Sequence, residues 1–361
     1  MALLPDKPKS QTVEAIYAYW QNQPERVSRR LGASQIGREC ERELWYSFRW
    51  CGTGARFEGR MLRLFNRGHR EEAVFIEELR GIGCDVRSHD PSTGEQFTFT
   101  ACGGHFVAKI DGVALRVPEA PKTWHNLSFK TINAKGHAVL VKDGVQKGKP
   151  EHYAQSQVEM KLADLTRTLY LSACKDNDEI HSERLRIDEA EADKQLTKAE
   201  RIIFAPEPPP RLSEDAAFWK CKSCAFAAGC HGEYLPAASC RTCLHATPER
   251  DGDGRWSCAL WKADIPHDAA LAGCEKHLFI PALLKRWGEA VDASNDEGWV
   301  EYRARDGLMF RNGPWGVESY TSKELHAMNP AMLRDAEVLA IRERTAAQFC
   351  LADKGEFEEA A

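Results

Sequence analysis
Gly104-His105-Phe106-Val107-Ala108-Lys109-Ile110-Asp111-Gly112-Val113, followed after a proline-rich interruption by Leu127-Ser128-Phe129-Lys130-Thr131, is the stretch from which the fold is read. Residues 105–110 alternate well enough for a strand that ends at Asp111-Gly112, a turn signal. In a second strand Leu127, Phe129 and Thr131 point one way, and Ser128 and Lys130 the other. Asp111, Ser128 and Lys130 are therefore expected to meet on one side of a hairpin. A carboxylate on one strand, with an acid and a lysine two apart on the next, suits Mg²⁺ held against a phosphodiester. Hard cations take oxygen ligands and keep several waters. The metal lowers the pKa of a bound water and offsets phosphate charge, and a lysine can orient the nucleophile. Position 128, where the second acid is needed, carries the neutral hydroxyl of Ser128.

Asp111 followed by Leu127-Ser128-Phe129-Lys130-Thr131 resembles the PD-(D/E)XK nuclease superfamily, and most closely the phage and prophage RecB-like exonucleases of recombination systems. That family would have Glu at position 128. The resemblance implies an α/β fold with a restriction-endonuclease-like core, a mixed central sheet flanked by helices. It also implies a metal-dependent deoxyribonuclease, with Mg²⁺ or Mn²⁺ held by Asp111, Glu72 and the carbonyl of Phe129. Lys130 would orient the attacking water or steady the transition-state charge. Losing the acid at 128 should cost several kcal/mol of transition-state stabilisation, at about tenfold in rate per ~1.4 kcal/mol. The chain is thus expected to fold and bind DNA while being nearly or fully inactive.

The chain has 361 residues, 43% of them hydrophobic, enough for two or three domains with a sizeable core. No apolar run approaches a membrane span and no signal-peptide pattern opens the chain, so a cytoplasmic protein without a membrane partner is expected. The net charge of −5 argues against a generic nucleic-acid coat. However, eleven arginines crowd the segment from Arg26 to Arg70, and a local basic face can bind phosphates despite a negative total. The acids concentrate later, in Asp188-Glu189-Ala190-Glu191 and a Glu-rich tail.

Several elements are legible in order. Thr12 can cap a helix through Trp20, after a Pro/Lys leader. Ser34 can cap a second, with Ile36, Cys40 and Leu44 as an i, i+4, i+8 stripe. A helix from about Phe57 to Gly81 carries Phe75, Ile76 and Leu79 on an apolar face. There Gly68-x-x-x-Glu72 resembles the family's metal-site helix, with Glu71 and His69 as rivals. Residues 86–110 read as strands around a Ser92-Thr93-Gly94 turn. Glu119, in the Pro118–Pro121 loop, is the nearest spare acid. Residues from His152 are helical, and Gln155 resembles the family's active-site amide. Thr168–Ala173 and Glu183–Ile187 pair as strands, and a long polar helix ends before Pro206-Glu207-Pro208-Pro209-Pro210.

Thirteen cysteines in a cytoplasmic chain argue for metal rather than disulfides, and seven lie between Cys221 and Cys274. Cys221, Cys224 and Cys230 form Cys-x2-Cys-x5-Cys, one short of a closed site. Thiolates suit iron–sulfur or zinc, and spacing alone does not choose. Ser34-x-Ile36-x3-Cys40-x-Arg42-x2-Trp45-Tyr46 resembles the opening motif of RecB-like nucleases with an iron–sulfur staple, including CRISPR adaptation nucleases. That resemblance implies a 4Fe–4S cluster on Cys40, Cys221, Cys224 and Cys230. His231 as fourth ligand would instead make a Cys3His zinc site. Cys240, Cys243, Cys258 and Cys274 follow Cys-x2-Cys-x14-Cys-x15-Cys, a strong zinc signal. This module is expected to brace the fold, with DNA contact through Arg241 and Arg255 as a weaker idea.

The expected organisation is a helical leader over 1–30, a nuclease core closed by a cysteine cluster over 31–235, a zinc module over 236–280 and a small α/β appendage over 281–361. The expected partner is DNA, with a single-strand annealing or recombination protein added by analogy, and an oligomer is open. The rival reading is a non-catalytic DNA-binding or scaffold protein descended from a nuclease, which Ser128 favours. A zinc-finger regulator is weaker still, since no recognition-helix motif accompanies the cysteines.

Overall fold
Why Asp111 sits where it does follows from a five-stranded mixed sheet. The computed structural model describes residues 10–23, 28–52, 57–232 and 234–350. The Pro/Lys leader, Arg26, Arg56 and the Glu-rich tail lie outside the described residues. The chain divides into two units, one of Met1–Arg38 with Ala55–Glu200 and one of Glu39–Gly54 with Arg201–Ala361. Residues 39–54 and 201–235, read from the sequence as part of the nuclease core, thus belong to the second unit.

In the first unit the sheet runs β1 (Asp85–Arg87), β2 (Val113–Leu115), β3 (His125–Ile132), β4 (Arg167–Cys174) and β5 (Ile180–Arg186), in that spatial order. β3 and β4 are parallel and the other neighbours antiparallel. Parallel neighbours need a crossover, and two helices supply it, α2 (Ala134–Gly148) and α3 (Pro150–Leu162). No sequence signal above indicated α2. Asn133 caps it, its Oδ1 accepting the Gly136 N–H at 2.9 Å. Residues 168–174 are all buried, as befits a strand covered on both faces.

The two faces of β3 differ. Leu127 and Phe129 pack with Leu169, Leu171 and Ala173 against Phe75 and Leu79, which come from the helix Gly59–Gly81. Phe75 stacks on Phe129 at 5.2 Å between ring centres. The opposite face presents Asn126, Ser128 and Lys130 beside Thr168, Tyr170 and Ser172. Helix α3 covers that face, with His152 Nδ1 2.8 Å from the Tyr170 hydroxyl. Residues 154–160 of α3 are buried without a break, because a smaller sheet of residues 31–32, 106–109 and 98–101 also packs on this helix. Gly37 lets the chain pass close to it, since a Cβ there would meet the Glu151 Cα at 2.6 Å.

The expected hairpin is therefore corrected. Phe106–Lys109 pairs with Thr98–Ala101 and Leu31–Gly32, not with β3. The true partner of β3 is β2, beyond the Asp111-Gly112 turn. Gly112 holds φ at 143°, and a Cβ there would meet the Arg87 carbonyl at 2.7 Å. The single stripe over Ile36, Cys40 and Leu44 is likewise broken into two helices, Ala33–Ile36 and Glu41–Phe48, with Cys40 as cap of the second. The first helix starts after Ser10 rather than Thr12.

In the second unit, Trp45 donates its indole N–H to the Ala205 carbonyl at 3.0 Å, tying residues 39–54 to the later chain. Glu289–Ser294, Trp299–Arg303, Met309–Asn312 and Ser319–Tyr320 form a four-stranded sheet. Its core of Tyr302, Phe310 and Leu325 also contains Leu235, Leu278 and Phe279. The expected zinc module and appendage thus share one core. No helix among the described residues is long and apolar enough to cross a membrane.

Candidate active site
Asp111 lies between the two sheets of the first unit, and its Oδ2 accepts the Phe129 backbone N–H at 2.8 Å. That bond pins the carboxylate to β3 between Ser128 and Lys130. Burial pushes the Asp111 carboxyl up, while Lys130 and the Phe129 N–H pull it down. Glu72 comes from the helix Gly59–Gly81 and is also raised, first by burial and then by Asp111, with His69 and Lys130 opposing. Of the three side chains weighed on that helix, Glu72 feels both Asp111 and Lys130, and His69, whose Nδ1 stands 3.6 Å from Glu72, acts on Asp111 as well.

The residue that sequence reasoning missed is Glu159. It is only 1% exposed, on α3 against the polar face of β3. Its Oε2 accepts from Asn126 Nδ2 at 3.0 Å, and its Oε1 accepts from Gln155 Nε2 at 2.6 Å. Burial pushes the Glu159 carboxyl up to about 7, against the pull of Lys130, and Asp111 raises it further. The signal was present. Gln155 and Glu159 are i, i+4 on one helix face, and a lone acid between Val158 and Met160 needs partners in a buried run. Gln157, the neighbouring amide, serves the fold instead: its Oε1 accepts the Asp188 N–H at 2.6 Å.

Ser128 is 1% exposed, and its Oγ finds no hydrogen-bond partner among the described residues. Asn126 Oδ1 is orphaned in the same way. Glu72, Asp111 and Glu159 thus each feel Lys130; Glu159 is buried, whereas Glu72, Asp111 and Lys130 are half-buried. That donor set suits a hard divalent cation. Among the described residues no three His, Cys, Asp or Glu side chains converge closely enough to enclose an ion unaided. Mg²⁺ does not require that, since one or two carboxylates with waters and substrate phosphate suffice.

The cysteines of both expected sets lie in the second unit, but among the described residues no three of them are gathered closely enough to hold a metal ion. Cys40 lies close enough to Cys221 and Cys224 to raise their thiols, as does Cys230, although burial is the larger cause. Cys40 is thus near Cys221 and Cys224 without forming with them a group that could enclose a metal ion among the described residues. His231 stands beside Cys230 with Nε2 orphaned among the described residues. Cys240, Cys243, Cys258 and Cys274 line one cleft of about 260 Å³ with His245 and His277. His277 is engaged elsewhere, its Nε2 lying 3.0 Å from the Ser239 carbonyl and 3.1 Å from Thr242 Oγ1. All thirteen cysteines are unbridged.

No family model matches the chain, and no curated protein does. Solved structures give faint likenesses. SSO0001 matches with a TM-score of 0.39 and 14% identity, over 61% of this chain and 96% of that one. The alkaline exonuclease LHK-Exo from Laribacter hongkongensis matches with a TM-score of 0.33 and 15% identity, over 52% of this chain and 90% of its own. LHK-Exo in complex with dAMP gives 0.34 and 16%, over the same shares. Likenesses of that size carry no inference about chemistry.

Other candidates from the sequence are placed elsewhere. The Glu119 carbonyl accepts from Arg184 at 3.3 Å, and its carboxylate acts on Cys84 and His125, so it is no substitute at position 128. Arg241 is no DNA contact: it is buried, lies 4.0 Å over the Trp50 ring and donates to the Phe48 carbonyl at 2.7 Å. Arg255 is held by Asp251 and Asp264, each at 2.7 Å.

Proposed function
We propose that the chain is a divalent-metal-dependent nuclease acting on DNA, with a PD-(D/E)XK-type core. The observation that carries this reading is the gathering of Asp111, Glu72 and Lys130 at β3, with Asp111 bonded to the backbone between Ser128 and Lys130. Asp111, Glu72 and the Phe129 carbonyl would hold Mg²⁺ or Mn²⁺, which supplies an activated water and offsets phosphate charge. Lys130 orients the nucleophile or steadies charge developing on the phosphate. Gln155 fixes the carboxylate of Glu159 beside them. Exonuclease action in a phage or prophage recombination system, with a single-strand annealing partner, is the narrower form of the proposal. Cys40, Cys221, Cys224 and Cys230 would carry a 4Fe–4S cluster, or zinc, and Cys240, Cys243, Cys258 and Cys274 a zinc ion.

The alternative, a DNA-binding or scaffold protein without catalysis, rests on Ser128 alone. Degradation of linear DNA in Mg²⁺ or Mn²⁺ by the chain and by Lys130→Met tests the proposal. Metal-dependent degradation that the methionine variant lacks supports it. Cleavage that survives EDTA, or equal cleavage by the variant, sinks it. An absorption spectrum of anaerobically purified protein with metal analysis addresses the cysteines, and a colourless sample holding only zinc removes the iron–sulfur assignment.

A further inference from the structure
Ser128 stands at the centre of the polar face of β3, fully buried, and its hydroxyl has no partner among the described residues. An unsatisfied buried hydroxyl costs stability unless another group meets it. Two residues earlier on the same face, Asn126 holds Glu159; two residues later stands Lys130. Glu159 therefore lies over the part of β3 from which an acid at 128 would project. It is also fixed from its own helix by Gln155. A carboxylate clamped by two amides has lost its rotamer freedom before any ligand arrives.

From this we infer that Glu159 supplies, from helix α3, the carboxylate that β3 lacks, joining Asp111, Glu72 and the Phe129 carbonyl in the cation site, and that Ser128 leaves the room it needs. The inference rests on the nuclease reading and deepens it. It replaces the expectation of an inactive chain with that of a cleavage-competent one. It also reverses the expected effect of restoring glutamate at 128. A second carboxylate there enters a filled space and meets a like charge, so Ser128→Glu alone impairs the site.

The experiment is Mn²⁺ titration by calorimetry, in parallel with cleavage of linear DNA, on the full chain and four variants: Glu159→Gln, Asp111→Asn, Ser128→Glu, and Ser128→Glu with Glu159→Ser. Glu159→Gln keeps the shape but only one of the two acceptor oxygens, so its melting temperature is measured beside the parent's to separate loss of the carboxylate from loss of the fold. The expected result is at least tenfold weaker Mn²⁺ binding and at least hundredfold slower cleavage in Glu159→Gln. Ser128→Glu is also impaired, and the double variant recovers Mn²⁺ binding. Unchanged Mn²⁺ affinity in Glu159→Gln, with Asp111→Asn still inactive, overturns the role of Glu159 and leaves the nuclease reading standing. Ser128→Glu more active than the parent chain overturns it too. No Mn²⁺ binding and no cleavage by the parent chain overturns both.

Discussion

The acid corner of the first unit and the cysteine sets of the second are built in opposite ways. Asp111, Lys130 and Glu159 sit on or against an eight-residue strand and a thirteen-residue helix. One apolar cluster of β3, β4 and the helix Gly59–Gly81 underlies them. Cys221 and Cys230 sit on helices of four residues each, Cys240 on a three-residue turn of helix, and Cys258 on a three-residue strand. Helices that short do not persist by themselves. In the first region packing positions the side chains. In the second, a bound metal would position the packing, and its binding free energy would count as folding free energy.

The sharpest way to break that contrast is to test whether the cysteines hold a metal. A strong chelator, or Cys243→Ser, should cost the second unit several kcal/mol, given structural-zinc values of about 10–16 kcal/mol in small domains. Hydrogen exchange should show protection lost over residues 240–274 and kept in β3 and β4. Equal loss in both regions, or in neither, contradicts the contrast. Next in size is Phe75→Ala. Phe75 is 1% exposed and stacks on Phe129, so its truncation should cost about 3–5 kcal/mol in a denaturant titration. Chelation should leave that cost unchanged.

Acid should act on both regions alike. Burial, reinforced by Lys130 and Lys149, pushes His152 down to about 3, and burial pushes His277 down to about 4. Both are neutral when folded, whereas an unfolded histidine takes a proton below about 6.5. The unfolded state then binds more protons, so stability is full above that pH and falls as the pH drops toward the folded values. Each histidine should remove on the order of 2 kcal/mol by pH 5. His152→Gln and His277→Gln should each flatten the fall in melting temperature between pH 7.5 and pH 5. An unaltered slope in either variant would mean that its histidine is protonated in the fold. The smallest expected effect is at the cap of α2, where Asn133→Ala should cost about 1 kcal/mol without changing Mn²⁺ affinity.

The strands of the mixed sheet were legible because alternation and buried runs survive in the sequence. Residues 125–132, 167–174 and 180–186 are close to where the pattern puts them. The partner of β3 was not legible. Val113–Leu115 is three residues long and carries almost no pattern, whereas Phe106–Lys109 alternates well but belongs to the smaller sheet. The stripe at Ile36, Cys40 and Leu44 kept its spacing across a break that Gly37 requires for close packing on α3. Glu159 was overlooked because attention to a two-residue spacing on one strand ignores acids arriving from a covering helix. The approach of Cys40 to Cys221 and Cys224 was expected only from a family resemblance. Nothing in the spacing of residues 181 and more apart could reveal it.

The most direct measurement is the rate at which the full chain and Asp111→Asn degrade linear DNA in Mg²⁺ or Mn²⁺, with and without EDTA. Asparagine retains an acceptor for the Phe129 N–H, so the fold should hold while the charge is lost. The expected result is metal-dependent degradation by the parent chain and a loss of about a thousandfold or more in the variant, which corresponds to about 4 kcal/mol. Intact DNA with the parent chain in both metals, or equal rates for the two proteins, would contradict the assignment of this corner as a nuclease site.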